Sequence, residues 1–321
     1  MSDTIISSPL QGFTDFRFRN TFNKFFCGVD IFYAPYIRFG GKLEIKAVYQ
    51  RDLQPKNNIN LNVTPQVMTC NADEFILAAK YVMSLGYTEL NWNLGCPYPM
   101  VTNKGLGSGL IAQPQKIDEI LNRVHNETDI RVSMKMRLGY DSNQEILKVF
   151  PILEKYPIKN VGIHARLGKQ LYKGGVDLKG FQNCIDSTKL TLWYNGDITT
   201  YTGYLQMKER FPSITHWMLG RGLIADPFLP SMIKNGSGAY PDDRIEIFSK
   251  FHDTLFTACE QKLTGEKAVI RKMLSYWEYF ASGFSSLRLV KKITKAKTYE
   301  NYDAAVKSLL DAERSNTINM L

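Results

Sequence analysis

The chain lacks any C-x-x-C pair. Its cysteines, Cys27, Cys70, Cys96, Cys184 and Cys259, are odd in number and widely spaced. Neither a zinc ribbon nor a disulfide framework is indicated, and no metal is expected. No uncharged apolar run is long enough to span a bilayer. The first residues, MSDTIISSPLQGFTDF, hold neither a basic n-region nor a long apolar h-region, so they do not read as a secretory signal. These absences point to a reducing, cytoplasmic setting with no membrane partner. No protein partner is evident either. Acid is missing between Glu278 and Glu300. So is a G-x-G-x-x-G after the first β-rich run, which argues against a doubly wound dinucleotide fold.

What is present fits a globular chain. The 321 residues are 44% hydrophobic and 22% charged, with a net charge of +9 and a pI near 9.1. That length can bury a barrel-sized core and a smaller domain. A basic balance bears on partners, polyanions first, and says nothing about fold. A soluble protein that simply happens to be basic would carry the same charge.

Eight β-rich runs recur, at 5–10, 29–36, 62–68, 87–93, 131–138, 160–165, 190–197 and 216–222. Between them lie segments with helical apolar spacing, such as ADEFILAAKYVMSLG, QPQKIDEILNRVHNE and YTGYLQMKERF. Strand–helix alternation over about 235 residues predicts a (β/α)8 TIM barrel. Near NGSGAYPDD, residues 235–243, the pattern changes. A catalytic barrel over 1–240 and a small helical domain over 241–321 are expected, with helices at 244–263, 266–281 and 299–314. A further element, GFSSLRLVKKITKAKT, carries Arg288, Lys291, Lys292, Lys295 and Lys297. Such a run is either a solvated helix face or an electrostatic footprint for RNA.

Barrel chemistry sits at the carboxyl ends of the strands. There the sequence offers Pro9-Leu10-Gln11, Gln66, Asn91, Asn93 and Cys96, then Lys135, Arg137, His164 and Arg166. The last two ends are Asn195-Gly196-Asp197 and Gly220-Arg221-Gly222. Turns after strands seven and eight commonly bind phosphate, and glycine lets backbone N–H groups approach an anion. Lys135 is either at a frayed strand edge or a cation beside an electron-rich ring such as the N1 side of a flavin. His164 is either a structural hydrogen-bonding residue or a catalyst.

The stretches SPLQGFTDFRFR, NWNLGCP with GLGSGLI, VSMKMRLGY, IHARLGKQLYKGG, WYNGDI and MLGRGLIADP, spread over residues 8–228, resemble the tRNA-dihydrouridine synthase family in order and content. The N-x-G-C-P plus G-x-G-S combination is the most specific. The helical tail resembles that family's RNA-recognition domain. The resemblance implies an FMN-dependent barrel that reduces the C5–C6 bond of a D-loop uridine in tRNA with NADPH. It puts FMN against Pro9, Leu10, Gln11 and Gln66, with Lys135 and His164 at the isoalloxazine ring. Asn195, Gly196, Asp197, Gly220 and Arg221 would hold the phosphate arm. Cys96 matches the catalytic cysteine, and Asn93, Arg137 and Arg166 fall with the base contacts. Independently of the resemblance, the acid-free basic run suggests that Arg288, Lys291, Lys292, Lys295 and Lys297 meet tRNA phosphates.

The chemistry explains a thiol at a turn. Hydride goes to C6 and a proton to C5, and a cysteine facing the base can act as general acid. An accessible, mobile turn is therefore expected at Cys96, with Gly95 making the turn, Pro97 stiffening its exit and KGLGSGL closing over the base. Ser8-Pro9-Leu10 replaces the family's A-P-M, Ala34-Pro35 stands where a small residue and Glu are common, and Leu167 stands where Thr is common. These departures bear on base contact and on which uridine is chosen. A small-molecule dihydropyrimidine or dihydroorotate oxidoreductase, or a tRNA-binding barrel without catalysis, are the competing readings.

Overall fold

The computed structural model describes residues 3–318. They form two compact units. The first comprises residues up to Phe16 with Val29–Ile198 and Leu205–Gly220; the second comprises Arg17–Gly28, Thr199–Tyr204 and the chain from Arg221 onward. Segments on both sides of residue 240 thus share the second unit.

Every strand lies in the first unit. They are β1 (Thr4–Ser7), β2 (Ile31–Tyr33), β3 (Ile37–Arg38), β4 (Val63–Thr64), β5 (Gln66–Met68), β6 (Glu89–Leu94), β7 (Arg131–Gly139), β8 (Val161–Leu167), β9 (Leu192–Asn195) and β10 (His216–Leu219). All pairs are parallel, in the order β3-β5-β6-β7-β8-β9-β10-β1-β2-β4. Ten strands stand where eight are expected because proline splits two of them. Pro35 lies between β2 and β3, and Pro65 between β4 and β5. Proline has no N–H for the ladder. Pairing resumes beyond each break, Phe32 opposite Val63 and then Ile37 opposite Val67, one residue out of step. With each pair of halves counted as one strand, every strand pairs with its neighbour in sequence and the last pairs with the first. The sheet is a closed eight-membered barrel.

Helices cover its outside for reasons visible in sequence. Ala72–Ser84 starts where the Asn71 side chain accepts from the Glu74 N–H at 3.1 Å, and it buries Phe75, Ile76, Ala78, Ala79 and Val82. Pro114–Glu127 begins on proline, which needs no N–H there, and buries Ile117, Ile120, Leu121 and Val124.

The second unit is helical. Its main elements are Arg244–Glu260, Glu266–Phe280, Leu287–Thr294 and Tyr299–Ile318. Its core is aromatic: Phe18 stacks on Tyr276 at 5.8 Å between ring centroids and meets Phe251 edge-on at 6.3 Å. A polar group is folded into it. Trp277 Nε1 donates to the Tyr302 hydroxyl at 2.8 Å, and that hydroxyl lies 2.7 Å from His252 Nε2. Indole can only donate, so the tyrosine oxygen accepts there, and the other imidazole nitrogen, Nδ1, lies 3.0 Å from Asp253 Oδ1. Among the described residues no helix is long and apolar enough to cross a membrane.

Candidate active site

Cys96 lies two residues past the end of β6. Asn93, near the end of that strand, turns its Oδ1 back to accept from the N–H groups of Gly95 and Cys96, each at 3.0 Å. The Cys96 carbonyl accepts from Ser108 twice, from its N–H at 3.0 Å and its hydroxyl at 3.1 Å. The glycine-rich loop is thereby latched onto the turn. Gly107 makes that approach possible: its φ is +56°, and a Cβ there would lie 2.5 Å from the Cys96 carbonyl oxygen.

Two expectations are corrected. The turn does not depend on Gly95, which is absent from the left-handed positions; the glycine under steric demand is Gly107. Nor is the thiol accessible. Cys96 is 8% exposed and packs with Met68 and Val101, against Tyr36 and Leu106. The latch folds the loop over it.

Gln66 is buried and ties the third strand to the fourth. Its Nε2 donates to Asn91 Oδ1 at 2.7 Å and its Oε1 accepts from Asn93 Nδ2 at 2.8 Å. Lys135 stands opposite Asn93 in the ladder. Burial, and then the Arg137 guanidinium beside it, push the ammonium down to about 7, with the Cys96 thiol pulling the other way. Arg137 is 1% exposed. Its Nε donates to the Gly95 carbonyl at 3.1 Å and its Nη1 to the Leu167 carbonyl at 2.7 Å. The guanidinium lies 5.2 Å from the centroid of the Tyr172 ring, and its Nη2 is buried without a hydrogen-bond partner. Burial lowers its pKa, which Tyr172 partly opposes. Because the Leu167 contact is through backbone, a leucine serves it as well as a threonine would.

Arg137, His164 and Asn195 are aligned across β7, β8 and β9. Asn195 Nδ2 donates to the Met218 carbonyl at 2.8 Å, joining β9 to β10. Arg166 is buried at 2% exposure and its guanidinium is forked onto the Asp197 carboxylate. It also donates to the Gly174 carbonyl at 2.6 Å and approaches His164 Nε2 at 3.3 Å. The Asp197 carboxylate therefore faces a cation of its own. Pro9 and Leu10 are half-buried just past β1, where Ser8 N–H donates to the Leu219 carbonyl at 2.8 Å; Gln11 is exposed. Gly220 follows β10, and Arg221 opens the helix Arg221–Ala225.

The structure thus brings Gln66, Asn93, Cys96, Lys135, Arg137, His164, Arg166, Asn195 and Asp197 onto or just past consecutive barrel strands, with Lys135 and His164 in mid-strand. Arg288, Lys291, Lys292 and Lys295 lie elsewhere in sequence, on and just past the helix Leu287–Thr294, all exposed, as is Lys297. Val290, Ile293 and Ala296 are buried between them. Sequence reasoning missed Ser108, Tyr36 and Tyr172. Ser108 was legible, as the serine of GLGSG; the contacts of the two tyrosines come from loops whose course no local pattern encodes.

Comparison with known proteins identifies relatives of the chain. The family model described as dihydrouridine synthase (Dus) matches residues 5–317. The tRNA-dihydrouridine synthase B of Pasteurella multocida is 24% identical over 234 residues, covering 71% of this chain and 68% of that protein. The tRNA-dihydrouridine(16) synthase of Neisseria meningitidis serogroup B is 23% identical over 320 residues, covering 97% and 95%. Among solved structures, morphinone reductase superposes with a TM-score of 0.51 at 10% identity, covering 77% of this chain and 88% of its own, a likeness of fold alone. With a match spanning nearly the whole chain and a buried cysteine latched at the end of the fourth barrel strand, this chain belongs to the dihydrouridine synthase family.

Proposed function

We propose that the chain reduces the C5–C6 double bond of a D-loop uridine in tRNA, with FMN bound at the barrel mouth and NADPH as reductant. The observation that carries the reading is Lys135. It is a strand lysine with a second cation beside it, and no carboxylate is among the groups that perturb it. Two neighbouring cations, Arg137 buried and Lys135 half-buried, call for an electron-rich partner. The pyrimidine edge of a flavin is such a partner, and a full positive charge there favours the reduced, anionic ring. Gln66 and His164 suit its heteroatoms, and the turns at Asn195-Gly196-Asp197 and Gly220-Arg221 suit a phosphate. When bound, FMN supplies the hydride that reaches C6.

The protein's own residues do the rest. Arg137, with its unpartnered Nη2, offers a donor to a carbonyl of the base. Asn93 sets the direction of the Cys96 turn. Cys96 Sγ gives its proton to C5 as general acid, a step of the kind that contributes about 10²–10⁴-fold in rate. The base is turned out of the tRNA to reach the site, and the latch over Cys96 opens to admit it. Arg288, Lys291, Lys292 and Lys295 hold RNA phosphates.

The test uses the purified full-length chain. Denaturation should release FMN, and incubation with NADPH and an unmodified tRNA transcript should place dihydrouridine in the D-loop by mass spectrometry. Release of FAD, no flavin after reconstitution, or reduction of free uracil or orotate in place of tRNA would overturn the proposal.

A further inference from the structure

Glu89 begins β6 and Cys96 follows its other end. They are joined through the barrel interior by a chain of buried side chains in which every hydrogen bond runs the same way. Ser133 Oγ donates to Glu89 Oε1 at 2.6 Å, and Asn91 Nδ2 donates to Ser133 Oγ at 2.9 Å. Gln66 Nε2 donates to Asn91, Asn93 Nδ2 donates to Gln66, and the N–H groups of Gly95 and Cys96 donate to Asn93. Glu89, Ser133, Asn91, Gln66 and Asn93 are all buried. The other Glu89 oxygen is held by Lys159.

The sense of such a chain is not free. A primary amide can be turned end for end, and a hydroxyl can donate either way. Only the termini have fixed polarity. Backbone N–H groups can only donate, and an ionised carboxylate can only accept. With both termini satisfied, each amide between them has one allowed orientation, and aligned bonds polarise one another. We propose that Glu89 is a positioning residue for Cys96: its charge, at the far end of β6, fixes the orientation of Asn91, Gln66 and Asn93 and so holds the Cys96 turn. The effect on the turn stands on the hydrogen bonds alone, whereas its consequence for uridine reduction rests on the function proposed above.

The substitution Glu89→Gln separates polarity from packing, because it keeps the shape. A glutamine has one oxygen for two donors. Where Lys159 takes it, the new amide nitrogen donates to Ser133, and the polarity that Glu89 imposed on the chain is lost: the Ser133 hydrogen is free to turn to Asn91. In that sense Asn91, Gln66 and Asn93 reverse, and Asn93 presents its NH₂ to the Gly95 and Cys96 N–H groups, donor against donor. Removing Lys159 as well frees the glutamine oxygen for Ser133 and restores the original sense. A glutamate acting only through packing gives no such rescue.

Hydrogen–deuterium exchange at Gly95 and Cys96, with iodoacetamide labelling of Cys96 followed by peptide mass spectrometry, reads the turn directly on the purified, cofactor-bound chain. In Glu89→Gln, exchange at these amides should rise by about tenfold and alkylation should quicken. Glu89→Gln with Lys159→Met should return both to within about twofold of the unmodified chain. Lys159→Met alone should change neither. Unchanged exchange in Glu89→Gln, or equal loosening in the single and double variants, overturns the proposal. Should Glu89→Gln fail to fold, Ser133→Ala cuts the same chain without touching a charge, and an unaltered turn there overturns it equally. Dihydrouridine formation by the unmodified chain is measured alongside. Its absence would sink the functional reading and leave the exchange result standing.

Discussion

The barrel and the helical unit treat positive charge in opposite ways. In the barrel, Arg137 and Arg166 are buried, each donating to named oxygens, and Lys135 sits within β7, opposite Asn93 of β6, with its pKa pressed to about 7. In the helical unit, Arg288, Lys291, Lys292, Lys295 and Lys297 stand exposed at helical spacing while Val290, Ile293 and Ala296 turn inward. A buried cation costs desolvation and survives only where its surroundings fix it. It therefore carries geometry. An exposed cation keeps its water, gains little from any one neighbour, and acts through a summed field that salt screens. The first arrangement suits chemistry on one base. The second suits holding a polyanion of any sequence.

The sharpest break of this comparison is at Cys96. Cys96→Ala should slow uridine reduction by about 10²–10⁴-fold and leave flavin reduction by NADPH unchanged, both followed by flavin absorbance. Reoxidation by tRNA at the unmodified rate would remove Cys96 from the chemistry.

Next in size is a change confined to the helical unit. Tyr302→Phe leaves Trp277 Nε1 and His252 Nε2 without their shared partner. Stranded buried polar groups cost about 1–3 kcal/mol each, so denaturant unfolding should show a clear loss of stability. A midpoint equal to that of the unmodified chain would mean that water replaces the hydroxyl.

Lys135 gives a pH signature. In the ligand-free chain its pKa is about 7, and an electron-rich ring beside it raises that value. Below pH 7 the ammonium is already formed and FMN affinity should be flat. Above pH 7 binding must take up a proton, so affinity should fall by up to about tenfold per pH unit until the bound-state pKa is reached. Titrating stripped protein with FMN across this range is the measurement, and Lys135→Met should flatten the curve.

The smallest effect belongs to the exposed face. Replacing Lys291 and Lys292 together by alanine should weaken tRNA binding modestly and make the log–log salt slope shallower by about one to two units. FMN content should not change. An unaltered slope would show that this face is only solvated.

Much of this was legible in the sequence. Alternating β-rich and helical runs gave the barrel, because parallel strands with crossover helices leave that signature. Motif order placed Cys96, Lys135, Arg137 and His164 on or just past successive strands. The split at Pro35 and Pro65 could have been read from proline's missing N–H. The burial of Cys96 could not. It depends on Ser108 and Gly107 reaching back twelve and eleven positions in sequence, a tertiary closure that a glycine-rich loop permits without specifying. The pairing of Arg166 with Asp197 was hidden likewise, since each residue alone looked like a ligand contact.

That concealment of Cys96 bears on how the protein ages. Oxidation of a thiol to sulfenic acid and beyond follows exposure and thiolate character. Cys27 is exposed and Cys70 half-exposed, whereas Cys96 lies beneath a latched loop. An oxidant in solution therefore meets Cys27 first, and Cys96 is the last of the three to be spent.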